Sequence, residues 1–540
     1  MFTLKYRLRS NKVHFYQFMD SQGINKSVDL ETAVFTSQPK GWGLYSPDDF
    51  PKFSNEELGQ MQNLNYRELA FTILNRFDWG ISSEELKQII DEAYNEAHWQ
   101  KPQDAKEWFT IDIAPMRHIW ENLYSVHLGY GPTFAFKNFG LEFLPRFLDV
   151  ILEKLSQKEG KIKVAHVLGA SSGDTINAAH HGVKGTNHLK SMFMLPIRDP
   201  ETGKWPSKVQ QLQASHAIID NPSAHTLFAD LPFDPLQAIV KKINTESYAR
   251  FKEEFGITSF NSINIARILA QTVYYFHTYK ELVKNGVIKN GDEVIFSVPS
   301  GNFWDALAGL YANWMWLPIK FINVATNEND VLHTFIQTGR YEPKDEKKVI
   351  VTNSPSQDIA NSSNLERALL LLTNNDTEKV CTWYAELKTK GFFQVDPETL
   401  TAIQKQFTSS KSTDRQRWNT MKNIQEHFWH DIDPHTATAV VPWEQDDPLE
   451  FDFARRTDNT PVIVLETSHS AQFRDEIAAQ WIVMPGSREF DETIAKMQQW
   501  KSVEWIHYTN MRLAHLSPEE RVEEVVRIVQ HIAEDVFPNR

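Results

Sequence analysis

One lysine lies in a segment whose composition is unusual for a charged residue. In YGPTFAFKNFG, residues 130–140, Lys137 stands among three phenylalanines at positions 134, 136 and 139. Apolar surroundings solvate an ammonium poorly and favour the neutral amine, which is the nucleophilic form toward an aldehyde. A lone lysine of this kind more often only extends its charge from an apolar helix face into water. The segment therefore indicates covalent catalysis only if other features support it.

Two glycine-containing turns supply such features. SSGDT at 171–175 and PSGNF at 299–303 each follow an apolar run and precede a helix-like segment. At a helix N-terminus, backbone N–H groups and the helix dipole favour an anion, and glycine permits close approach. Neither turn has the Lys-Ser/Thr pair of a P-loop, and GWG at 41–43 lacks the third glycine of a dinucleotide fingerprint. Together with Lys137, the two turns indicate a phosphate-bearing carbonyl cofactor.

Strands and helices that could position these residues alternate from about residue 106 onward. The alternation predicts an α/β fold with a largely parallel sheet. KVAHVLGASSGDTINAAHHGV and DEVIFSVPSGNFWDALAGLYANWM are each predicted to form a strand, a turn and a helix. Between them, FNSINIARILAQTVYYFHTYKELVKNG predicts a long helix that ends at Gly286, a typical C′ residue. Nearer the N-terminus, Ser82 and Glu85 form a capping-box pattern in the amphipathic segment SSEELKQIIDEAYNEA.

Four regions are predicted along the chain. Residues 1–105 are a helical and mixed N-terminal region, and residues 106–390 form the α/β catalytic core, whose smaller lobe spans about 160–255. The polar, Trp- and His-rich stretch 391–455 interrupts the alternation and is interpreted as an inserted lobe. Residues 456–540 complete the core with the strand-and-loop segment TPVIVLETSHSAQF and a final amphipathic helix.

Composition excludes several classes of protein. The chain has 540 residues, of which 41% are hydrophobic and 23% charged, as in packed globular proteins. With 56 basic and 70 acidic residues, its net charge of −14 argues against a nucleic-acid or anionic-membrane partner. A single cysteine excludes a disulfide framework, and neither a signal peptide nor a run of about 20 apolar residues is found. We expect a soluble, cytoplasmic protein with a small-molecule substrate, either a monomer or a homodimer.

A histidine-rich segment, EHFWHDIDPH, is the best candidate for a metal site. Its spacing places His427 and His430 on one helical face, and His435 follows five residues later. No nearby cysteine or matched carboxylate completes a set of four ligands, so we predict no metal site.

Eight segments occur in the order typical of one enzyme family. They are GPTFAFKNFG, GASSGDT, NSINIARILAQ, VPSGNF, ATNENDVL, SPSQDIANSSNLER, DPHTA and LETSHSAQF. In this order, spread from GWGLYSP at residue 41 to residue 475, the chain resembles threonine synthase in the longer form found in many bacteria and fungi. The resemblance implies the tryptophan-synthase-β-like fold of pyridoxal-phosphate enzymes, fold type II. It also implies conversion of O-phosphohomoserine and water to threonine and phosphate.

The resemblance implies which residues hold the cofactor. Lys137 would bind pyridoxal 5'-phosphate covalently and move protons at Cα and Cβ of the substrate. The cofactor phosphate would be held by backbone N–H groups of one turn, Ser300, Gly301, Asn302 and Phe303. The cofactor ring and the substrate carboxylate would be lined by the second turn, Ser172, Gly173, Asp174 and Thr175. Thr467 would face the pyridine nitrogen, where a neutral hydroxyl suits an unprotonated ring.

The resemblance also implies a separate site for the substrate phosphate. Its residues come from NSINIAR and are Asn261, Ser262, Asn264 and Arg267. Arg267 is the strongest candidate, because a guanidinium can bind phosphate through two parallel N–H groups. An arginine on a helix is otherwise most often a solvated surface charge. The intact motif around Arg267 favours the binding role.

Several residues near the expected reaction centre depart from the family pattern. They are Tyr130 for His, Asn138 for Asp, Ile176 for a small residue, Trp304 for Gly, Gln357 for Met, Ser470 for Pro and Gln472 for Lys. The phosphate-binding motif NSINIAR is unchanged. Loss of charge at positions 138 and 472 alters the electrostatic energy of a partly buried site by about 1–3 kcal/mol. Such a change can retune a reaction without abolishing it.

Three hypotheses follow from the resemblance and the departures. The chain is a working threonine synthase, or it eliminates phosphate from a phosphorylated amino acid to give a 2-oxo acid or a β/γ-replacement product. In the third hypothesis it is a non-catalytic binding or scaffold protein in which Trp304 blocks the cofactor phosphate. Retention of Lys137, Asn302, Arg267 and Thr467 argues against the third hypothesis.

Overall fold

The fold is described from a computed structural model. The described residues are 15–17, 27–39, 43–99, 108–171, 173–196, 221–231, 233–243, 248–344, 348–443, 459–473, 477 and 508–536. Several parts of the sequence predictions lie outside these ranges: Ser172 of the cofactor turn, residues 41 and 42 of GWG, residues 444–455 of the inserted lobe, and segments of the predicted N-terminal region, smaller lobe and C-terminal region.

A seven-stranded sheet forms the larger half of the core. In spatial order its strands are β15 (Phe407–Lys411), β12 (Ile319–Thr326), β11 (Val294–Pro299), β16 (Val462–Glu466), β6 (Leu123–His127), β5 (Met116–Trp120) and β4 (Trp108–Thr110). The first five strands pair in parallel, and β5 and β4 extend one edge as antiparallel strands. The apolar segments of β11 and β16 are buried along their whole length, as expected for central parallel strands.

A second, five-stranded sheet is parallel throughout. Its strands in spatial order are β10 (Ile257–Thr258), β7 (Ala165–Ala170), β8 (Leu189–Pro196), β9 (Ala224–Ala229) and β17 (Tyr508–Met511). The strand β17 comes from the last part of the chain, so this sheet combines two distant sequence regions. Two small antiparallel sheets are formed by β1 (Phe15–Gln17), β2 (Ser27–Val28) and β3 (Tyr45–Pro47), and by β13 (Arg340–Tyr341) and β14 (Phe393–Gln394).

Helices connect and cover the strands. The α-helices are α1 (Leu30–Thr36), α2 (Asn55–Gln60), α3 (Tyr66–Leu74), α4 (Ser83–Ala93), α5 (Lys137–Glu159), α6 (Asp174–Gly182), α7 (Phe233–Ile243), α8 (Ala249–Phe255), α9 (Ile265–Lys284), α10 (Trp304–Trp314), α11 (Val331–Thr338), α12 (Leu365–Leu372), α13 (Thr377–Lys390), α14 (Pro397–Gln406), α15 (Asp414–Phe428), α16 (Pro434–Val440) and α17 (Pro518–His531). Short 3-10 turns occupy Met61–Asn63, Pro355–Gln357, Val441–Trp443 and Ser470–Phe473. Parallel sheets joined by helices confirm the predicted α/β class.

Several predicted elements are confirmed in detail. The Ser82 hydroxyl accepts from the backbone N–H of Glu85, and the Glu85 carboxylate accepts from the backbone N–H of Ser82, so the capping box precedes α4. Helix α9 ends at Lys284, and Gly286 follows with a φ of 71°, the left-handed conformation of a C′ residue. Both predicted strand–turn–helix units form, as β7 with α6 and as β11 with α10.

Helix α9 is surrounded by protein on all sides. Every residue from Ile265 to Leu282 is buried, and the guanidinium of Arg267 lies within this buried part. Because a helix buried all round normally carries apolar side chains, a fully buried arginine near its first turn requires an explanation. None of the described helices combines the length and apolarity needed to cross a bilayer.

The predicted arrangement of the histidines is wrong. Helix α15 ends at Phe428, and Trp429 takes a left-handed φ of 52°, which turns the chain before His430 is reached. His427 is exposed on the helix, whereas His430 is buried against Glu466 at 2.7 Å. The three-residue spacing therefore does not place the two histidines on one face. Within the described ranges no group of three or more potential ligands is arranged for a metal ion.

Candidate active site

Three neighbouring strands of the seven-stranded sheet end at the same edge. β6, β16 and β11 are parallel neighbours, so the residues that follow them lie on one side of the sheet. The segment after β6 leads to Lys137, Thr467 follows β16 directly, and Ser300 follows β11 directly. The fold thus brings together three of the predicted site segments.

Lys137 is the first residue of α5 and is largely buried. Its Nζ lies 3.2 Å from Oδ2 of Asp174, the first residue of α6. The side chains of Lys137 and Asp174 are 12% and 4% exposed. The sequence predicts apolar surroundings for this lysine. The structure also places the carboxylate of Asp174, from the predicted cofactor turn SSGDT, beside it. The Ser171 hydroxyl shapes that turn by accepting from the backbone N–H groups of Gly173 and Ile176.

A chain of hydrogen bonds continues from Asp174 to a second part of the molecule. The hydroxyl of Ser356 donates to Oδ2 of Asp174 at 3.3 Å. The backbone N–H of Ser356 donates to Nε2 of His435 at 3.0 Å, so the proton of this imidazole lies on Nδ1 and points to Asp433 at 2.8 Å. His435 therefore holds the turn that carries Ser356. Neither Ser356 nor this function of His435 was predicted from sequence.

The turn after β11 has the features of an anion site. The hydroxyl of Ser300 is buried and has no hydrogen-bond partner among the residues described. A Cβ at Gly301 would lie 2.8 Å from Cδ1 of Ile359 and 3.2 Å from Cα of Gln357, so this glycine is closely packed, and Phe303 takes a left-handed φ of 64° immediately before α10. Gly301 and Asn302 are partly exposed, which leaves their backbone accessible. An unpartnered hydroxyl, a close-packed glycine and a helix N-terminus fit the phosphate of a cofactor.

Two of the departures from the family pattern support neighbouring backbone. The Gln357 amide donates to the carbonyl of Ala325 at 2.9 Å, beside the turn at Ser300. The Gln472 amide donates to the carbonyl of Phe134 at 2.6 Å, within the segment that leads to Lys137. Both side chains thereby hold loops of the site.

Asn138 replaces a family carboxylate without losing its acceptor function. Its Oδ1 accepts from the backbone N–H of Thr133 at 3.1 Å and from the Thr133 hydroxyl at 2.9 Å. Its amide group approaches Glu142. Burial tends to raise the pKa of Glu142, but the neighbouring His181 and Arg146 outweigh this effect and lower the pKa below its usual value. Because an amide oxygen can make both bonds, the turn before Lys137 keeps its shape although the charge is lost.

Thr467 is buried next to the segment that leads to Lys137. Its carbonyl accepts from the backbone N–H of Phe136 at 2.9 Å, and Ser468 forms an isolated bridge with Ala135. Because Phe136 directly precedes Lys137 in the chain, this backbone hydrogen bond brings Thr467 close to Lys137. Thr175 is half-buried on α6, and Ser172 lies outside the described residues.

Arg267 has an incomplete set of hydrogen bonds for a buried guanidinium. Its side chain is 1% exposed, and Nη1 donates to the carbonyl of Phe260 at 2.7 Å. The Nε and Nη2 donors are buried, and nothing in the described part of the chain accepts from them. Burial lowers the pKa of Arg267 to about 9, so the group is still charged at neutral pH. Buried N–H donors are rarely left unpaired, so this guanidinium has the features of an anion-binding group.

The other predicted phosphate ligands surround the first turn of α9. Asn261 and Ser262 are half-buried in the turn that precedes the helix. Asn264 is fully buried, and its side chain accepts from the backbone N–H of Ala266 and donates to the carbonyl of Val34 at 2.9 Å. The structure thus gives Asn264 a helix-capping function.

Arg367 connects these loops and was not predicted from sequence. It is fully buried and donates to the carbonyls of Tyr45 and Ile263 and to the side chain of Asn364, at 2.6–2.7 Å. Ile263 lies in the NSIN turn, and the backbone N–H of Asn364 donates to the carbonyl of Asn302 at 3.3 Å. Through these contacts the SSNLER segment connects the turn at Asn302 to the NSIN turn.

A second polar network lies at the ends of β6 and β16. Glu466 is buried between His430, at 2.7 Å, and His127, at 3.7 Å. Burial raises the pKa of Glu466, but the two histidines outweigh this effect and bring it to about 2. The ring of Tyr130 lies 4.3 Å from that of His127, so this departure from the family packs on the network.

Comparison with known proteins agrees with this geometry. Residues 17–94 match the family model described as the threonine synthase N terminus. Threonine synthase of Methylobacillus glycogenes is 32% identical over 467 residues, which cover 85% of this chain and 91% of that protein. The crystal structure of yeast threonine synthase aligns with a TM-score of 0.82 and 29% identity over 98% of this chain and 99% of that chain. The PLP-bound threonine synthase of Brucella melitensis aligns with a TM-score of 0.79 and 27% identity over 97% and 100% of the two chains.

The fold and the site therefore define an α/β protein of the pyridoxal-phosphate-dependent class, as expected from the resemblance. Within that class, the chain belongs to the threonine synthase family.

Proposed function

We propose that the chain is a pyridoxal-phosphate-dependent lyase that converts O-phosphohomoserine and water to threonine and phosphate. Family membership supports this proposal, and one observation carries it for this particular chain. Arg267 offers two buried, unpartnered N–H donors in addition to the anion-type turn at Ser300. A cofactor phosphate and a substrate phosphate require two separate anion sites, and in this proposal the turn at Ser300 provides one and Arg267 the other.

In this proposal the cofactor is bound by residues of three segments. Lys137 would hold it covalently, the turn from Ser300 to Phe303 would bind its phosphate through backbone N–H groups, and Thr467 would face its ring nitrogen. The unpartnered hydroxyl of Ser300 supports the phosphate assignment. Pyridoxal phosphate, when bound, supplies an electron sink that stabilises negative charge on the substrate carbons.

The protein contributes proton transfer and orientation. We assign to Lys137 Nζ the movement of protons at Cα and Cβ, since this amine lies within hydrogen-bond distance of Asp174 in the second cofactor turn. Asp174, 3.2 Å away, orients that amine. Ser356 and His435 hold Asp174 in place, as their hydrogen bonds indicate.

Arg267 binds the leaving group in this mechanism. When the bond between Cγ and the ester oxygen breaks, phosphate departs with the electron pair and its negative charge increases. A desolvated guanidinium with a free pair of N–H groups stabilises that charge more strongly than a solvated one. The proton removed from Cβ is delivered to Cγ, which becomes the methyl group, the oxygen of water bonds to Cβ, and the return of a proton to Cα completes threonine. We place this step of threonine biosynthesis in the cytoplasm, in keeping with the single cysteine.

The experiment that tests the proposal is one incubation of the purified holoenzyme with O-phosphohomoserine, with products followed by ¹H and ³¹P NMR. We expect phosphate and threonine in equal amounts. Phosphate with 2-oxobutyrate, or phosphate without an amino-acid product until a nucleophile is added, would replace the proposal with the elimination or replacement enzyme. Absence of turnover and of any cofactor absorbance would leave the scaffold hypothesis.

A further inference from the structure

Trp304 contacts both halves of the site. Its indole is 7% exposed, and the guanidinium carbon of Arg267 lies 4.3 Å from the centre of its ring. The ring of Phe136, next to Lys137 in the chain, lies 4.8 Å from the same indole. Trp304 is the first residue of α10, directly after the turn proposed to bind the cofactor phosphate. A large side chain at this place is unexpected, because the family that the sequence resembles has glycine there.

The contact leaves the binding edge of Arg267 open. Nη1 is used by the carbonyl of Phe260, and the donors without partners are Nε and Nη2. These two N–H groups lie side by side on one edge of the planar guanidinium and can bind two oxygens of one oxyanion. A ring that lies against the guanidinium carbon occupies neither of these two donors, so the contact does not compete with a ligand that approaches Nε and Nη2.

The indole also helps to exclude water from the guanidinium, which is 1% exposed. In a region of low dielectric constant, the attraction between opposite charges is stronger and grows with the charge of the ligand. A phosphate dianion therefore gains more from the covered guanidinium than a singly charged carboxylate does. With glycine at position 304, this face of Arg267 would be free of the ring.

We propose that Trp304 is a positioning residue that fixes the plane of Arg267 and makes the site selective for a doubly charged tetrahedral group over a planar carboxylate. The inference rests on the proposed function, in which Arg267 binds the phosphate of the substrate. It goes further by assigning the selectivity of that site to a residue in which this chain departs from its family.

The test uses the holoenzyme and two unreactive probes. In 2-amino-5-phosphonopentanoate a methylene replaces the ester oxygen of O-phosphohomoserine, so no leaving group can depart, and 2-aminoadipate carries a carboxylate in place of the phosphonate. Dissociation constants are measured by calorimetry for the wild type, Trp304→Leu and Trp304→Phe. We expect Trp304→Leu to weaken phosphonate binding about 10-fold and 2-aminoadipate binding about 2-fold, with Trp304→Phe between wild type and Trp304→Leu. The matched control is Trp316→Leu, because Trp316 is 60% exposed, and its affinities should equal the wild type.

A double-mutant cycle tests whether Trp304 acts through Arg267. Arg267→Lys keeps a positive charge but removes the pair of N–H groups. In that background, Trp304→Leu should change the phosphonate dissociation constant less than about 2-fold, since the group it positions is absent. Equal effects of Trp304→Leu in both backgrounds would overturn the positioning role.

The remaining outcomes separate this inference from the proposed function. If the wild type does not bind the phosphonate, the proposed function fails. If the wild type binds it and Trp304→Leu binds it equally well, only the role of Trp304 is overturned. A uniform loss for both probes would overturn the selectivity. Should Trp304→Leu fail to fold, as judged by circular dichroism, the ratio of the two affinities in Trp304→Phe decides the question.

Discussion

The two halves of the site differ in how completely their polar groups are paired. On the lysine side, Lys137, Asp174, Ser356 and His435 bind one another in one continuous chain of hydrogen bonds. On the phosphate side, Arg267 keeps two buried donors that no described residue satisfies. The first half is held in position by the protein itself, whereas in the proposed function the second half is completed by the phosphate of the substrate.

This difference has an energetic meaning. A buried donor without a partner costs about 1–3 kcal/mol, so an arrangement of this kind is retained only where binding an anion recovers the cost. A preorganised lysine and carboxylate, by contrast, need no reorganisation when the substrate arrives. We therefore expect changes on the lysine side to affect turnover and changes on the phosphate side to affect substrate affinity.

The largest effect should come from Lys137→Ala. Removal of the amine eliminates both the covalent anchor and the proton carrier, and we expect turnover to fall by about 1,000-fold or more. The visible absorbance of the lysine-bound cofactor should disappear while the far-ultraviolet circular dichroism is unchanged. Reduction of wild-type holoenzyme with borohydride, followed by peptide mapping, should find the cofactor mass on Lys137.

The matched control for this variant is Lys158→Ala, in the last turn of the same helix, where the lysine is exposed. It should behave as the wild type. A cofactor mass on another lysine, or unchanged turnover in Lys137→Ala, would remove Lys137 from the mechanism. Retained binding of 2-amino-5-phosphonopentanoate to Lys137→Ala would sharpen the distinction between the two halves.

A smaller effect is expected from Arg367→Met on the phosphate side. The change leaves the carbonyls of Tyr45 and Ile263 buried without their donor. We expect a loss of about 3–5 kcal/mol in the free energy of unfolding and a KM for O-phosphohomoserine raised more than kcat is lowered. Urea unfolding and steady-state kinetics measure the two quantities.

Arg417→Met provides the comparison, since Arg417 is equally buried but donates to Ser412, Asn353, Glu328 and Asp414 and, among the residues described, makes no hydrogen bond to the NSIN turn. It should destabilise the protein to a similar extent without raising KM. If both variants raise KM equally, the contact between Arg367 and Ile263 has no special part in the phosphate site.

The smallest effect concerns Asp305, which joins α10 to the helix that carries Arg267. The hydroxyls of Tyr274 and Tyr275 donate to its Oδ1 at 2.6 and 3.0 Å, and burial raises the pKa of Asp305 from 3.8 to about 7. Between these pH values the folded protein keeps the proton while the unfolded chain releases it, so the free energy of unfolding falls as the pH rises. Asp305→Asn keeps the acceptor and removes the titration.

We therefore expect the stability of Asp305→Asn relative to the wild type to rise by about 1–3 kcal/mol from pH 4 to pH 7. Urea unfolding at several pH values gives this difference. Burial also raises the pKa of Glu366 to about 7. This residue titrates in both proteins, so its contribution cancels in the difference between their stabilities. A pH-independent difference would mean that Asp305 is ionised in the folded protein.

Much of the fold could be predicted because its signals are local. The capping box at Ser82, the glycine that ends α9 and the apolar runs of β7 and β11 are each readable within a short segment. The histidine arrangement failed because helix α15 ends at Phe428, two residues before His430, and Trp429 takes a left-handed conformation. The proposed domain boundaries and the roles of the site residues stay predictions.

The sequence alone determined which residue types are present for the chemistry: one lysine among phenylalanines, two glycine turns and the NSINIAR motif. These follow from local composition and from the order of the family segments. Tertiary structure decided which groups meet. It places Asp174 at the amine of Lys137, His435 in a hydrogen bond with the backbone of Ser356, and the Trp304 ring against the guanidinium of Arg267. Each of these pairs joins residues at least 37 positions apart, so their contact depends on how sheets and helices pack. No periodicity within a segment encodes that packing.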